Sequence, residues 1–179
     1  ALLLAYGMVH DNPLLMIGGL IFLPFMPIVL AFAFGALSRQ WQLVGHAGFA
    51  FVTSTALIVA AGAAVAAFAE PPIMFDRFPP LAAGAVLSAV VGIAAALGTA
   101  DDVGHRQLIG LAAASQLALI PAWLGVSLVF GFSESPEEKI GSFGLNTVLL
   151  AAGCAAVYLS LAWSGELSHT TARRKEYDV

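Results

Sequence analysis

Apolar residues in this 179-residue chain fall into six runs separated by short polar gaps. The runs cover residues 1–9, 14–37, 43–68, 81–97, 108–130 and 143–163. A helix needs roughly 20 apolar residues to cross the hydrocarbon core of a bilayer, and every run except the first approaches or exceeds that length. None of the runs has a Lys, Arg, Asp or Glu at its centre. The pattern predicts an all-α, polytopic integral membrane protein with about six transmembrane helices, the first of them only partly visible.

Prolines interrupt two of the runs at corresponding positions. Pro24 and Pro27 lie in the middle of the second run, and Pro121 lies in the fifth. Proline removes a backbone donor and clashes with the carbonyl four residues back, so we expect the second and fifth helices to be broken. Three runs lie on each side of the loop at residues 70–80, which suggests a 3+3 inverted repeat with halves 1–69 and 80–165. The alternative is that membrane helices commonly contain Gly and Pro.

Composition and charge agree with a membrane location. The chain is 60% hydrophobic and 10% charged, whereas about 25% of the residues of a soluble domain are charged. Arg39, Arg106 and the bases of a polar tail at residues 166–179 fall on one side of the predicted helices, and Arg77 and Lys139 fall on the other. Cytoplasmic loops carry an excess of basic residues, so both termini and the tail are expected in the cytoplasm of a prokaryotic cell, with residues 1–165 in its inner membrane.

The fourth run carries a regular series of small residues. Gly84, Ser88, Gly92 and Ala96 recur at every fourth position, which places them on one face of a helix. Small side chains on one face allow another helix to approach closely. The alternative is a simple excess of small residues in an alanine-rich helix.

The proline-containing runs resemble those of a known family. The opening ALLLAYGMVHDNPLLMIGGLIFLPFMPIVLAFAFG is similar to that of the bacterial and archaeal membrane proteins called the domain of unknown function 389 family. The stretch RQLIGLAAASQLALIPAW is similar to the second motif of that family. The residues that match the first motif are Ile17, Gly18, Leu20, Ile21, Pro24, Met26, Pro27 and Ile28. The resemblance implies a helical membrane fold and brings no established activity.

The match to this family includes one further polar residue and two departures. Asn146 fits an Asn that the family tends to carry near the start of its last segment. The Gly that precedes the second proline of the first motif is missing between Met26 and Pro27, and Pro121-Ala122 stands in place of a double proline. If these positions shape a site in the family, its geometry differs in this chain.

Polar side chains inside the apolar runs are the candidates for function. Ser115 and Gln116 precede Pro121, and Asn146 lies early in the last run. Buried amides and hydroxyls need partners in lipid, and interhelical hydrogen bonds are the simplest explanation. The alternative is that these groups and the carbonyls freed by the prolines line a site near the bilayer midplane. The candidate pathway or helix-break residues are Gly18, Pro24, Pro27, Ser115, Gln116, Pro121 and Asn146.

The remaining polar residues offer little catalytic chemistry. Asp101, Asp102 and His105 are close in sequence and could ligate a metal, but a solvated turn with helix caps explains them better. His46 has no second ligand at a matching spacing, and Cys154 is the only cysteine. We therefore expect no enzyme activity, no metal site and no cofactor, and we expect Cys154 to be a small packing residue.

Two functions remain open at this stage. The first is a small transporter or channel-like protein, acting as a homo-oligomer, with its site near the broken helices. The second is an accessory subunit of a larger membrane complex that binds lipid or pigment in its grooves. Membrane lipids are the expected partners, and nucleic acid is not. The apolar runs contain no central carboxylate or Lys, which argues against proton coupling through this chain.

Overall fold

The computed structural model describes residues 1–70, 78–100, 106–132 and 135–163, and their regular structure is helical. Seven α-helices lie within these ranges: α1 Leu2–Val9, α2 Pro13–Ile21, α3 Phe25–Leu37, α4 Trp41–Phe68, α5 Leu81–Ala100, α6 Arg106–Phe130 and α7 Pro136–Trp163. The prediction of an all-α fold is confirmed. The polar tail at residues 166–179 and the group formed by Asp101, Asp102 and His105 lie outside the described residues.

The helices long enough to cross a membrane are fewer than the six apolar runs suggest. In the described ranges, four helices are long and apolar enough: α4, α5, α6 and α7. A fifth span results if the bent pair α2 and α3 counts as one. Helix α1 has 8 residues, which at a rise of 1.5 Å per residue is about 12 Å and too short to cross alone. Long apolar helices are compatible with a membrane location, but six spans are not confirmed.

The predicted break in the second run is present. Helices α2 and α3 meet at an angle of 45°. Helix α2 begins after Asn12, whose side-chain oxygen accepts hydrogen bonds from the backbone N–H groups of Leu14 and Leu15 at 3.1 and 3.3 Å. It ends at Ile21, and Pro24 is the residue that precedes α3. The bend therefore coincides with the proline, as expected from the missing donor and the steric clash.

The predicted break at Pro121 was wrong. Helix α6 runs without interruption from Arg106 to Phe130 and contains Pro121 in its interior. Pro121 is fully buried, and the backbone next to it is held against α4, because a Cβ atom on Gly62 would lie 2.6 Å from the Ala122 carbonyl oxygen. Neighbouring helices can compensate a proline in this way and keep the helix continuous. Only one of the two proposed halves contains a broken helix, so the inverted repeat is not confirmed.

Helix α6 is the centre of the bundle. In its apolar window 61% of the residues are buried, against 17% in that of α4. Leu117, Trp123 and Val126 of α6 are completely buried, together with Leu150 of α7 and Phe25 of α3. The other helices all contact α6, so Ser127 of α6 is completely buried and Ser115 and Gln116 are half-buried.

Two pairs of helices approach so closely that glycine is required at the contact. Because consecutive spans reverse direction, α4 and α6 run parallel, and so do α5 and α7. A Cβ atom on Gly153 would lie 2.6 Å from the Ala89 carbonyl oxygen, and one on Gly92 would overlap the Leu150 carbonyl. The predicted small-residue face of α5 is confirmed, since Gly84, Ser88, Gly92 and Ala96 are all buried. This face brings the α5 backbone against α7 and next to the polar residues of α6.

Candidate functional site

A small polar pocket lies between α5, α6 and α7. Its volume is about 50 Å³. Polar side chains on its wall belong to Ser115 and Gln116 of α6 and to Ser142 and Asn146 of α7, with Lys139 beside them. The rest of the wall is apolar or glycine and comprises Phe78, Pro79, Leu81, Gly84, Leu119 and Ile120. We call this site the α5–α6–α7 pocket.

Helical periodicity places the polar residues on the wall of the pocket. Lys139, Ser142 and Asn146 are spaced by three and four residues, so they share one face of α7. On α6, Ser115 and Gln116 lie one turn before Leu119 and Ile120. Helix α5 contributes Gly84, where a Cβ atom would lie 3.5 Å from Oδ1 of Asn146. The absence of a side chain at Gly84 leaves the Asn146 amide facing an open space.

Hydrogen bonds in and beside the pocket direct hydroxyl protons away from it. Ser88 is completely buried and donates to Oε1 of Gln116 at 3.2 Å. Ser115 donates to the Ala112 carbonyl at 2.7 Å, and Ser142 donates to the Glu138 carbonyl at 2.9 Å. Each of these hydroxyl protons is already in a hydrogen bond, so the hydroxyl oxygens of Ser115 and Ser142 can act as acceptors for a ligand.

Asn146 differs from these residues because its amide oxygen is unsatisfied. The residue is 6% exposed, and Oδ1 is buried without a hydrogen-bond partner among the described residues. Leaving such an acceptor unpaired costs roughly 1–3 kcal/mol. Buried polar groups in native proteins are nearly always paired, so an unpaired one calls for an explanation such as a bound molecule.

An aromatic residue and a cation lie at one end of the pocket. The Lys139 ammonium is 4.6 Å from the centroid of the Phe78 ring. The Phe78 ring also contacts Trp123 edge to face, with ring centroids 6.0 Å apart. Phe78 is thus held from two sides at the pocket wall. Within the part of the chain that the structure describes, Lys139 is the only ionisable side chain that lines the pocket.

Three of the seven candidate residues meet in the pocket, and four do not. Ser115, Gln116 and Asn146 line it. Pro24 and Pro27 are exposed at the bend between α2 and α3, and Pro121 is buried in α6. Gly18 packs against α1, where a Cβ atom would lie 3.4 Å from a methyl carbon of Leu3. The pocket is therefore built from polar side chains and not from the helix break.

Several residues of the pocket were not identified as candidates from the sequence. Ser88 was noted only as a small residue, and Ser142 and Lys139 were not connected with Asn146. The spacing Lys139–Ser142–Asn146 on one helical face is a signal that could have linked the three. The bond between Ser88 and Gln116 joins residues 28 positions apart, which helical periodicity does not reveal.

The other polar candidates have ordinary structural roles. His46 is exposed, and its Nδ1 lies 2.7 Å from the carbonyl of Gln42, one turn earlier in the same helix. The ring of His10 packs on Tyr6, with centroids 4.3 Å apart. Cys154 is buried and donates through Sγ to the Gly92 carbonyl at 3.1 Å, in agreement with a packing role. Within the described ranges, no group of three His, Cys, Asp or Glu side chains could hold a metal ion.

Comparisons with protein-family models, with curated proteins and with solved structures gave no match. The resemblance of the two proline-containing stretches to the domain of unknown function 389 family stays a prediction. Because function depends on the site more than on the fold, the proposal below rests on the chemistry of the α5–α6–α7 pocket.

Proposed function

We propose that this chain is a small transport or channel-like membrane protein that moves a small polar solute through the α5–α6–α7 pocket. The observation that carries the proposal is the unpaired, buried amide oxygen of Asn146 in a pocket that Gln116, Ser115 and Ser142 also line. A buried acceptor without a hydrogen bond destabilises the protein, and a helix bundle with a purely structural role would gain nothing from it. A solute that visits the pocket relieves that cost.

The depth of the pocket supports a place on a transmembrane pathway. Gln116 lies ten residues after the start of α6 at Arg106, and Asn146 lies ten residues after the start of α7 at Pro136. At 1.5 Å per residue, each is about 15 Å from the beginning of its helix. The hydrocarbon core of a bilayer is about 30 Å thick, so Gln116 lies well inside the span of α6. Leu81, the first residue of α5, and Lys139 place the outer wall of the pocket at one end of the bundle, from which the pocket extends inward.

The chemistry of the lining favours passive movement of the solute. The described residues that line the pocket include no carboxylate and no His. Proton-coupled carriers usually place ionisable groups along their pathway. We therefore propose facilitated diffusion without proton coupling and without catalysis.

We further propose that the protein works as a homo-oligomer in the prokaryotic inner membrane, in contact with lipids and not with nucleic acid. The side that carries Arg39 and the basic tail would face the cytoplasm, following the excess of basic residues on cytoplasmic loops. The amino terminus lies on the same side of the membrane only if the first apolar run is itself a sixth membrane span.

An accessory role in a larger complex is the second candidate, and one observation favours it. An apolar groove of about 300 Å³ lies between α3, α4 and α7, with Phe32, Phe51 and Val148 in its wall. Such a groove suits a lipid acyl chain, a pigment tail or an apolar helix of a partner. A mixed complex of fixed stoichiometry on purification, in place of a homo-oligomer, would support this role over transport.

A flux assay on liposomes tests the transport proposal. The purified protein is reconstituted, and shrinkage and re-swelling under gradients of urea, acetamide or KCl are followed by stopped-flow light scattering. We expect at least one solute to enter faster than in protein-free liposomes. Gly84→Val should abolish the increment, because the new side chain faces Asn146 and fills the pocket. Gln116→Ala and Asn146→Ala should change the rate for the transported solute.

The matched control is Gly45→Val, since Gly45 is a helical glycine of α4 with open space where a Cβ would stand. It should retain the full rate. Thermal unfolding of each variant in detergent verifies that it is folded. The transport proposal is wrong if no solute enters faster than in empty liposomes, or if folded Gly84→Val conducts as well as the unmodified protein.

A further inference from the structure

From the direction of the hydrogen bonds at the pocket, we infer the class of solute that binds there. The α5–α6–α7 pocket receives a small, uncharged molecule that donates hydrogen bonds, such as a primary amide or urea, and its N–H groups bond to Oδ1 of Asn146. This inference rests on the proposed function, because it names the solute of the same pocket. It is tested by binding, which is independent of flux.

The hydroxyl donors at the pocket are already committed. The hydroxyls of Ser115 and Ser142 give their protons to carbonyls of their own helices. Oε1 of Gln116 accepts from Ser88 and keeps a second lone pair. The amide N–H groups of Gln116 and Asn146 are donors, but a ligand that only accepts hydrogen bonds would leave Oδ1 of Asn146 unpaired.

Asn146 sets the strongest requirement on the ligand. Its side chain is 94% removed from solvent, since 6% remains exposed, and Oδ1 has no donor among the described residues. Room for a methyl-sized group lies directly against this amide, because a Cβ atom on Gly84 would be 3.5 Å from Oδ1, in ordinary van der Waals contact. A ligand N–H placed there completes the missing hydrogen bond, and the gain is large because the acceptor is already desolvated.

The size of the pocket limits the ligand to a few atoms. Its volume is about 50 Å³, and on this measure one water needs roughly 10–15 Å³. Three or four water-sized groups therefore fit. Urea and acetamide are of this size, whereas sugars and amino acids are larger.

Charge excludes ions from the same pocket. Lys139 places one positive charge at the wall, and none of the described lining residues is a carboxylate. A cation would be desolvated beside this like charge. An anion has no N–H to donate and would leave Oδ1 of Asn146 unpaired. A neutral donor avoids both penalties.

Carbon-13 labelling of asparagine provides a direct test, because the chain contains only Asn12 and Asn146. The carboxamide carbon of each residue gives one resonance in the detergent-solubilised protein. We expect acetamide and urea to shift the Asn146 resonance downfield in a saturable manner. The Asn12 resonance should not move, because its oxygen already accepts two backbone hydrogen bonds and lies outside the pocket. Dimethyl sulfoxide has as many non-hydrogen atoms as urea but only accepts hydrogen bonds, so it cannot donate to Oδ1 and should not reproduce the downfield shift of Asn146.

Gly84→Val is the matched variant, and the Asn146 shift should be lost in it while Gly45→Val retains it. The inference is overturned if dimethyl sulfoxide shifts Asn146 as acetamide does, if K⁺ shifts it and the amides do not, or if no solute moves it below concentrations that alter thermal unfolding. A shift without flux would leave the inference standing and remove the transport proposal. Flux of K⁺ without an amide-induced shift would overturn the inference and leave the transport proposal standing.

Discussion

Among single residues, the buried polar side chains show where the interior is incomplete. The described residues include four buried side-chain atoms without a hydrogen-bond partner, on Thr55, Trp123, Ser127 and Asn146. Trp123 and Ser127 are four positions apart on α6, so their unpaired atoms lie on one face of that helix. Of the four, only Asn146 lines the polar pocket. Ser88 and Gln116, by contrast, satisfy each other with a hydrogen bond.

Asn146→Leu tests whether the amide is truly unpaired. Replacing an unsatisfied buried acceptor by an apolar side chain of similar size should leave the free energy of unfolding unchanged within about 1 kcal/mol, or raise it. Ser88→Ala is the contrast, because it leaves Oε1 of Gln116 without its donor and should cost about 1 kcal/mol or more. Thermal or denaturant unfolding in detergent, without added solute, measures both. A loss at Asn146→Leu that exceeds the loss at Ser88→Ala would mean that the amide has a structural partner.

At the scale of the helices, proline and glycine produce effects that depend on their neighbours. Pro24 lies at an exposed bend, whereas Pro121 lies in a continuous helix, although both interrupt apolar runs of similar composition. The difference is the close packing of α6 against α4 directly after Pro121, at Ala122 and Gly125. The parallel contact between α5 and α7 is equally specific, because it depends on backbone carbonyls that approach Gly92 and Gly153.

Gly92→Ala tests the close contact between α5 and α7. The added methyl group would overlap the Leu150 carbonyl, so the helices must separate, and we expect a loss of about 1–3 kcal/mol in the free energy of unfolding. Gly141→Ala is the matched control, because it lies in α7 with nothing near its missing Cβ. That variant should be neutral or stabilising, since alanine favours a helix over glycine by roughly 1 kcal/mol. Equal unfolding midpoints for the two variants would contradict the packing described here.

On the scale of the whole molecule, the bundle keeps ionisable groups out of its interior. Within the described ranges, the buried polar residues are Ser88, Ser127 and Asn146, and none of them carries a charge. The polar pocket accordingly has no carboxylate among the described residues that line it. The large apolar side chains left exposed on the outer helix faces, such as Phe49 and Phe68 of α4, are expected to meet lipid or another protomer.

The proposed flux should not depend on pH between about 6 and 8. Among the described residues that line the pocket, Lys139 is the only ionisable one, and no His or carboxylate is present. His10, directly after α1, and His46, in α4, lie outside the pocket. Initial rates of solute uptake across this interval should stay flat in the unmodified protein. A sigmoidal profile that Lys139→Gln leaves intact would place a titrating group on the pathway that the pocket does not contain.

The apolar runs by themselves determined the class of this protein and most helix positions. Length and lack of charge are properties of each segment, and a span can be identified from one segment alone. Pro24 disrupted its helix for an equally local reason, and the four-residue spacing of Gly84, Ser88, Gly92 and Ala96 predicted a packing face. Ser115, Gln116 and Asn146 were candidates because polar groups inside apolar runs need partners.

Only the tertiary structure decided which of these groups meet. The pairing of Ser88 with Gln116, the open space between Gly84 and Asn146, and the continuity of α6 through Pro121 depend on contacts between helices far apart in sequence. Periodicity assigns a residue to a face of its helix, but it does not say which face of another helix lies opposite. Polar residues of α6 and α7 therefore line one pocket only because close packing at glycine brings α5 and α7 together beside α6.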